Sequence, residues 1–370
     1  MTVTLPSATS PALPGRLGHP EYELRTDPRS DPRMVAALAP YGVDQRAAPA
    51  PVSPRDPLEA RLAYLAETEA GFEALFAALV ADLPPVAGVI HTTETITGPD
   101  GDDLPLYIHR PDGVDGALPG VLHIHGGGMT LLSGSGPAYV RWRDELAASG
   151  MVVVGVEFRN ASGVLGNHPF PAGLDDCTTA LEWMHANRER VGLSKVVISG
   201  ESGGGNLTLA TTLRAKREGR LHMIDGVYAL VPFISGAYGW AEDQMAAQFP
   251  SLLENDGYFV VNSSNAVLAS VYDPGGSNGR NPLCWPSWAS ADDLAGLPPH
   301  VITVDELDIF RDEGLEYYRA LVRAGVNATA RMNAGVCHAG EIMFRGAMPD
   351  LYLAAVADVR AFANRLPDAH

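Results

Sequence analysis

The sequence feature that most constrains the fold is a serine flanked by glycines between a strand and a helix. The pentapeptide GESGG at residues 200–204 follows the β-branched run Val196–Ser199 and precedes the Leu- and Ala-rich stretch Asn206–Arg214. A short apolar run bounded by glycine is typical of a buried strand. The glycines at 200, 203 and 204 let Ser202 occupy a sharp, strained turn, because they bring no Cβ against the backbone there. This order predicts a nucleophile elbow, although phosphate-binding turns at helix N-termini use similar sequences.

A second glycine-rich turn lies upstream of the elbow. The sequence HGGG at residues 125–128 directly follows the predicted strand Val121–Ile124. Consecutive glycines let backbone N–H groups converge on one point, as they do in the oxyanion hole that accompanies an elbow serine. We expect the N–H groups of Gly127, Gly128 and Gly203 to be the donors. No Gly-Lys-Ser/Thr follows, which argues against a P-loop.

An acidic loop and a late histidine supply partners for the serine. Five acidic residues follow the predicted strand 300–304: Asp305, Glu306, Asp308, Asp312 and Glu313. The last two suit the first turn of a helix, where negative charge is favoured, so the first three are the candidates for an orienting acid. His338 lies in the next loop, before the last long helix. The order serine, acid, histidine predicts a catalytic triad with His338 as the base.

No metal or cofactor is expected. His123 and His125 form a His-x-His pair, but no third ligand follows at a spacing typical of a metal site. We interpret His125 as a side chain that braces its own loop.

The order of predicted elements indicates an α/β fold. The predicted strands are 89–97, 104–109, 121–124, 152–158, 196–199, 226–231, 300–304 and 328–332, and the predicted helices are 58–83, 137–149, 173–188, 206–214, 312–324 and 348–366. The first two strands form a hairpin, and the repeated strand–helix units that follow predict a mostly parallel central sheet flanked by helices on both faces. Ligands bind such sheets beyond the carboxyl ends of the strands.

Two segments do not follow this alternation. Residues 1–57 are proline-rich and predict an arm with at most short helices. Residues 233–298 are too long for a connecting loop and rich in aromatic side chains, which either pack on the core or line a substrate pocket. We predict an N-terminal arm with cap helices over 1–83 and a catalytic domain over 84–370, with a cap insertion at about 233–298.

Composition excludes several classes of partner. A formal net charge of -18 argues against nucleic acid and anionic membranes, and no apolar run approaches the length needed to span a bilayer. Three widely spaced cysteines fit a reducing compartment, and no secretory signal pattern opens the sequence. We expect a cytoplasmic protein that acts on a small molecule, with a homodimer as one option for its assembly.

The motifs together resemble those of the bacterial hormone-sensitive-lipase-like esterases. The family signatures HGGG, GDSAGGNL, DPLRDEG and a late His-Gly correspond here to HGGG at 125–128, GESGGGNL at 200–207, LDIFRDEG at 307–314 and CHAGE at 337–341. The segment at 158–177, ending in HPFPAGLDDC, is similar to the family's YRLAPEHPFPAALEDC. The similarity extends from about residue 84 to the C-terminus.

The resemblance implies an α/β-hydrolase fold with a helical cap and cofactor-free hydrolysis of esters, with lactones or macrolides among the substrates. It also implies that Asp308 is the triad acid, because Asp308 matches the first Asp of DPLRDEG. The chain departs from the family at Glu201, where Asp is usual, and at Gly203, where Ala is usual. We expect substrate contacts from five side chains: Met129, Glu201, Trp240, Tyr258 and Phe259.

Two alternative functions use the same fold. An amidase or peptidase would share every triad residue, so the motifs do not separate it from an esterase. A ligand-binding protein without turnover is the other alternative, and the presence of His338 argues against it.

Overall fold

An eight-stranded sheet forms the centre of the structure, a computed structural model that describes residues 13–367. The strands are β1 (Val89–Thr97), β2 (Asp103–Pro111), β3 (Leu118–Ile124), β4 (Val152–Val156), β5 (Leu193–Glu201), β6 (Gly226–Leu230), β7 (His300–Asp305) and β8 (Ala328–Asn333). Their order in the sheet is β1-β2-β4-β3-β5-β6-β7-β8. Strand β2 is antiparallel to both neighbours, and the pairs from β4 to β8 are parallel.

Helices cover both faces of this sheet. They are α1 (Gly15–Gly18), α2 (Pro32–Leu38), α3 (Leu58–Val80), α4 (Pro137–Ala148), α5 (Ala172–Ala186), α6 (Arg188–Val191), α7 (Gly203–Arg217), α8 (Glu242–Gln248), α9 (Ser251–Glu254), α10 (Asn262–Tyr272), α11 (Ala291–Leu294), α12 (Arg311–Arg323), α13 (Gly340–Met343) and α14 (Pro349–Arg365). Short 3₁₀ turns occur at Ala39–Tyr41, Leu221–Met223, Pro274–Gly276 and Pro286–Trp288.

The central strands are apolar on both sides, as a parallel sheet between two helical layers requires. Consecutive side chains of a strand point to opposite faces, and β4 shows the consequence. Val153 packs in the cluster that contains Trp142 of α4 and Val359 of α14, whereas Val152 and Val154 pack in the cluster formed with α5, α7 and α12.

The predicted alternation is confirmed. Every strand and helix predicted from the sequence is present, with ends that differ by up to three residues. The largest differences on strands are at β3 and β5, which begin at Leu118 rather than Val121 and at Leu193 rather than Val196. The reason is pairing, since β5 is bonded along its length by β3 on one side and by β6 at its carboxyl end.

The N-terminal arm and the insertion meet each other on the structure. Residues 1–12 of the predicted arm lie outside the described residues, and residues 13–57 contain short helices, as expected. Helix α3 contacts α10 of the insertion, where the Tyr64 and Ser264 hydroxyls are 2.6 Å apart and Arg61 donates to the carbonyl of Ser270 at 3.0 Å. The division into domains stays a prediction.

Among residues 13–367, no helix combines the length and the apolar character that crossing a bilayer requires.

Candidate active site

Ser202 lies at a strained turn between β5 and α7. Its φ of 57° and ψ of -118° are rarely adopted by a residue with a side chain, and its N–H donates to the carbonyl of Leu230 at 3.0 Å. A Cβ added to Gly204 would lie 1.9 Å from the Ile124 carbonyl oxygen, and one added to Gly203 would lie 2.4 Å from the Met129 nitrogen. Glycine at both positions therefore lets the turn pack directly against the end of β3 and the loop after it.

Three side chains form a continuous hydrogen-bonded chain at this turn. The Nε2 atom of His338 is 2.9 Å from Ser202 Oγ, and its Nδ1 atom is 2.8 Å from Asp308 Oδ2. The other Asp308 oxygen accepts from the N–H of Phe310 at 3.0 Å. Because the carboxylate accepts a hydrogen bond from Nδ1–H, the ring proton stays on Nδ1 and Nε2 keeps a lone pair that can accept the serine proton.

The neighbouring acids have other partners. Asp305 accepts from the Asn333 side chain at 2.8 Å and from the Gly340 N–H at 2.9 Å. Glu306 accepts from the Gly335 N–H at 2.8 Å. Of the five acids considered in residues 305–313, Asp308 is the one bonded to His338 in the structure.

The HGGG loop lies beside Ser202 with two free N–H groups. Gly127 and Gly128 have φ values of 102° and 62°, which favour glycine. Their N–H groups donate to no acceptor within residues 13–367. A Cβ on Gly203 would come 2.6 Å from the Gly128 nitrogen, so the three predicted donors are adjacent. The three N–H groups can donate hydrogen bonds to a negatively charged oxygen that forms next to Ser202.

Glu201 and two histidines form a buried cluster next to the first glycine of this loop. Glu201 accepts from the Gly126 N–H at 2.5 Å and lies 3.3 Å from His123 Nε2. His125 Nδ1 donates to the Gly126 carbonyl at 2.8 Å, and its ring stacks on Phe158. Burial raises the pKa of Glu201 to about 7 and lowers the pKa of His123 well below its ordinary value.

The raised pKa of Glu201 predicts a pH-dependent stability. Glu201 loses its proton near pH 4.5 when unfolded and near pH 7 when folded, so the folded state binds more protons between these values. Its contribution to the free energy of unfolding is therefore largest below pH 4.5 and falls by about 3 kcal/mol as the pH rises through 7. Glu201→Gln should remove this fall. Urea unfolding of both proteins at several pH values measures it.

A matched substitution separates this effect from the loss of any carboxylate. Glu67 is exposed on α3, and Glu67→Gln should leave the pH slope of the wild type unchanged. Equal slopes for Glu201→Gln and the wild type would contradict the assignment.

A cavity of about 260 Å³ opens onto Ser202 and His338. Its walls are mainly apolar and come from the loops around Ser202 and from two helices outside the sheet. Helix α3 contributes Leu65, Thr68, Phe72 and Phe76, and α10 contributes Ser264, Asn265 and Leu268. Four rings form a row along it, from Phe259 to Phe72 (centroids 5.8 Å apart), Phe76 (5.7 Å) and Tyr139 (6.4 Å).

The structure brings two of the five predicted substrate side chains to this cavity. Glu201 and Phe259 line it. The other three are absent from its walls as the structure describes them. Met129 is buried under the glycine loop, Trp240 packs against Trp288 with ring centroids 5.9 Å apart, and the hydroxyl of fully buried Tyr258 donates to Asp27 at 3.1 Å.

Sequence reasoning missed the contribution of α3 to the cavity wall. The sequence predicts α3 as a cap helix, but none of its side chains is among the expected substrate contacts. The spacing of Leu65, Phe72 and Phe76 places these side chains on one side of the helix, and this is the signal that could have identified them. Tyr139 of α4 carried no comparable signal.

One cluster in residues 13–367 has three metal-binding side chains close together: His91, His109 and Asp144. Asp144 Oδ1 is 2.6 Å from His91 Nε2 and 2.7 Å from His109 Nδ1. Arg143 Nε donates to His109 Nε2 at 3.0 Å, which places the ring proton on Nδ1. A protonated nitrogen does not bind a metal, so these groups form a hydrogen-bonded cluster. None of the three lines the cavity.

Comparisons with known proteins identify the family of the chain. Residues 121–341 match the model of a family described by its alpha/beta hydrolase fold. The chain is 30% identical over 275 residues to carboxylesterase NlhH of Mycobacterium tuberculosis, an alignment that covers 72% of this chain and 80% of the relative.

Solved structures of esterases are also similar. Brefeldin A esterase, described as a bacterial homologue of human hormone sensitive lipase, superposes with a TM-score of 0.93 and 49% identity over 95% of this chain and 98% of that one. Esterase Est22 gives a TM-score of 0.82 and 36% identity over 93% and 100%. These relatives do not favour the amidase, peptidase or ligand-binding alternatives. The chain therefore belongs to the α/β-hydrolase fold family and is a carboxylic ester hydrolase related to the bacterial homologues of hormone-sensitive lipase.

Proposed function

We propose that the chain hydrolyses carboxylic esters through an acyl-enzyme on Ser202, with His338 as the general base and Asp308 as the acid that orients it. The observation that carries this proposal is the chain of hydrogen bonds from Asp308 to His338 at 2.8 Å and from His338 to Ser202 at 2.9 Å. A nucleophile, a base and an orienting group in this relation are the requirements of covalent acyl transfer.

The reaction proceeds in two halves. Ser202 Oγ attacks the ester carbonyl while His338 Nε2 takes its proton, and Asp308 stabilises the imidazolium that forms. His338 then gives the proton to the departing alcohol, and the acyl group stays on Ser202. In the second half, a water attacks the acyl-enzyme carbonyl while His338 Nε2 takes its proton. His338 then returns this proton to Ser202 Oγ as the acyl–oxygen bond breaks, which releases the acid and restores the free enzyme.

The N–H groups of Gly127, Gly128 and Gly203 are the proposed donors to the oxyanion. Each such donor typically lowers the barrier by about 3 kcal/mol. Two of them have no other acceptor among the described residues, so no bond has to break before they receive the charge. This preorganisation is what makes oxyanion donors effective.

The proposed substrate is an ester with an apolar acyl or alcohol part. Support comes from the apolar walls of the 260 Å³ cavity, where we propose that Phe259 and Glu201 contact the substrate. Lactones and macrolide esters belong to the proposal because of the 49% identity to brefeldin A esterase. We also propose that α3 and α10 act as the cap over this cavity.

A cytoplasmic location is part of the proposal. It is supported by the three cysteines, which are all buried and unpaired: Cys177, Cys284 and Cys337. A homodimer stays a prediction, and sedimentation of the purified chain tests it.

The test of the proposed function uses p-nitrophenyl esters of increasing acyl length, a lactone series and a p-nitroanilide with the same acyl group. We expect repeated turnover of the esters and far slower cleavage of the anilide. A fluorophosphonate should label Ser202, as identified by peptide mass spectrometry. Preferred cleavage of the anilide would favour the amidase, one turnover or none would favour the binding protein, and labelling of another residue would refute the triad.

A further inference from the structure

We propose that the N-terminal arm positions the catalytic acid and base: Arg29, acting through Asn255, fixes the loop of Asp308, and neighbouring arm residues hold the loop of His338. We call the four arm residues that make these contacts the arm clamp: Asp27, Arg29, Asp31 and Met34. The inference rests on the proposed function, because it concerns the same triad, and it gives the arm a role in addition to covering the cavity.

Arg29 lies at the centre of a largely buried polar cluster. Its guanidinium donates to Asp27 at 2.8 and 3.0 Å, to Asn255 Oδ1 at 3.2 Å and to Glu254. These three partners are almost fully buried. Glu254 and Asn255 belong to the insertion, so Arg29 connects the arm to a segment far away in sequence.

The bond to Arg29 determines which way the Asn255 amide faces. Arg29 can only donate, so it must meet the amide oxygen. The Asn255 Nδ2 group then points the other way, where it donates to the backbone carbonyls of Asp308 at 3.0 Å and Glu306 at 3.1 Å. With the amide reversed, an oxygen would face two carbonyl oxygens. Arg29 and the two carbonyls therefore favour the same orientation, in which Asn255 holds the backbone of Asp308 and is itself held by Arg29.

Glu254 provides a second route from Arg29 to the same loop. It is bonded to Arg29 and also to Arg311, at 2.7 and 3.0 Å. Arg311 in turn donates to the Glu306 carbonyl at 3.1 Å. Burial alone would raise the pKa of Glu254, but the bonds and charges of Arg311 and Arg29 outweigh it and keep this pKa below its ordinary value. The carboxylate is thus held ionised between two guanidinium groups.

The arm clamp also contacts the loop that carries the base. The N–H of Asp31 donates to the Gly335 carbonyl at 2.8 Å, and the N–H of Cys337 donates to buried Met34 Sδ at 3.2 Å. Gly335 N–H is bonded to the Glu306 side chain at 2.8 Å. One arm segment therefore joins the two loops whose separation sets the distance from Asp308 to His338.

This arrangement predicts a change in kcat rather than in KM. Arg29 and Asn255 are absent from the described walls of the cavity, so substrate contacts should survive their replacement. A displacement of about 1 Å in a catalytic group lowers the rate by up to about 100-fold. We expect Arg29→Met and Asn255→Ala each to lower kcat about 10- to 100-fold, with KM changed less than about twofold.

The matched control is Arg33→Met. Arg33 lies in the same arm segment, but it is more exposed and pairs with Asp31 and Asp350. We expect it to keep the wild-type kcat. Arg29→Lys, which keeps the charge with fewer donors, should recover part of the loss. The double variant Arg29→Met/Asn255→Ala should be no worse than the more damaging single variant, because residues that act as a unit are not additive.

A measurement without substrate tests the geometry itself. The Nδ1 proton between His338 and Asp308, assigned by its loss in His338→Ala, should shift or broaden in the proton NMR spectrum of Arg29→Met and not in that of Arg33→Met. If Arg29→Met does not fold, Asn255→Ala carries the same comparison.

An unchanged kcat and an unchanged proton signal in folded Arg29→Met or Asn255→Ala would overturn the proposal, and so would an equal loss of kcat in Arg33→Met. Absence of ester turnover by the wild type would refute the proposed function instead, and the proton signal would still decide whether the arm positions the pair.

Discussion

Hydrolysis of a short p-nitrophenyl ester should become about a million-fold slower in kcat when Ser202 is replaced by alanine. The variant keeps His338, Asp308 and the glycine loop, but it has no oxygen to attack the carbonyl. A free oxyanion hole and a bound substrate still accelerate attack by water, about 10³- to 10⁴-fold over the uncatalysed reaction. Burst and steady-state kinetics under the same conditions measure both quantities.

Strand β5, which leads into the turn of Ser202, offers a control for this experiment. Ser199 is fully buried on β5, and its hydroxyl has no hydrogen-bond partner among residues 13–367. Ser199→Ala should keep kcat within about twofold, because it removes neither a bond nor much volume. A loss of less than 100-fold in Ser202→Ala would show that another residue is the nucleophile.

The centre of the site was predictable because its constraints are local in the sequence. Gly203 and Gly204 are required by close backbone approach, and that requirement appears as a short motif around Ser202. Gly127 and Gly128 have positive φ, a backbone conformation that also favours glycine and that also appears in the sequence as a short motif. The alternation of strands and helices was equally readable, since apolar runs of the observed lengths produce it directly.

Other parts of the site depend on contacts that no local pattern encodes. Asp305, Glu306 and Asp308 are equivalent by position after β7. The family resemblance implies Asp308, and the folded loop shows that this carboxylate meets His338. An aromatic side chain in the insertion has the same sequence signature whether it lines a cavity, as Phe259 does, or packs elsewhere, as Trp240 does. The apolar character of a side chain predicts that it is buried, but it does not predict which residues the side chain packs against.

The arm is the clearest case of this limit. The prolines of residues 1–57 predict an irregular segment, and its described part, residues 13–57, is irregular apart from short helices. Nothing near Arg29 in the sequence indicates that it contacts Glu254, 225 residues further along the chain. Long-range ion pairs depend on the assembled fold, so sequence periodicity carries no signal for them.

Replacement of Asp308 by asparagine should lower kcat about 10⁴-fold without unfolding the protein. The N–H of Phe310 donates to one Asp308 oxygen at 3.0 Å, and in the variant this donor should keep the amide oxygen on its side. The amide NH₂ then faces His338 Nδ1, which must accept. The ring proton moves to Nε2, and His338 can no longer take the proton of Ser202.

Asp312→Asn is the matched comparison for this variant. Asp312 lies in the same acidic run, where it accepts from the Ser251 N–H at 2.7 Å and from Arg311, and its amide can keep one of these bonds. We expect its kcat to stay within about threefold of the wild type, because a surface-proximal bond affects stability more than chemistry. Proton NMR of His338 should show the tautomer change in Asp308→Asn alone. A comparable loss of kcat in both variants would mean that the acidic run acts through its total charge, and that Asp308 does not orient the imidazole.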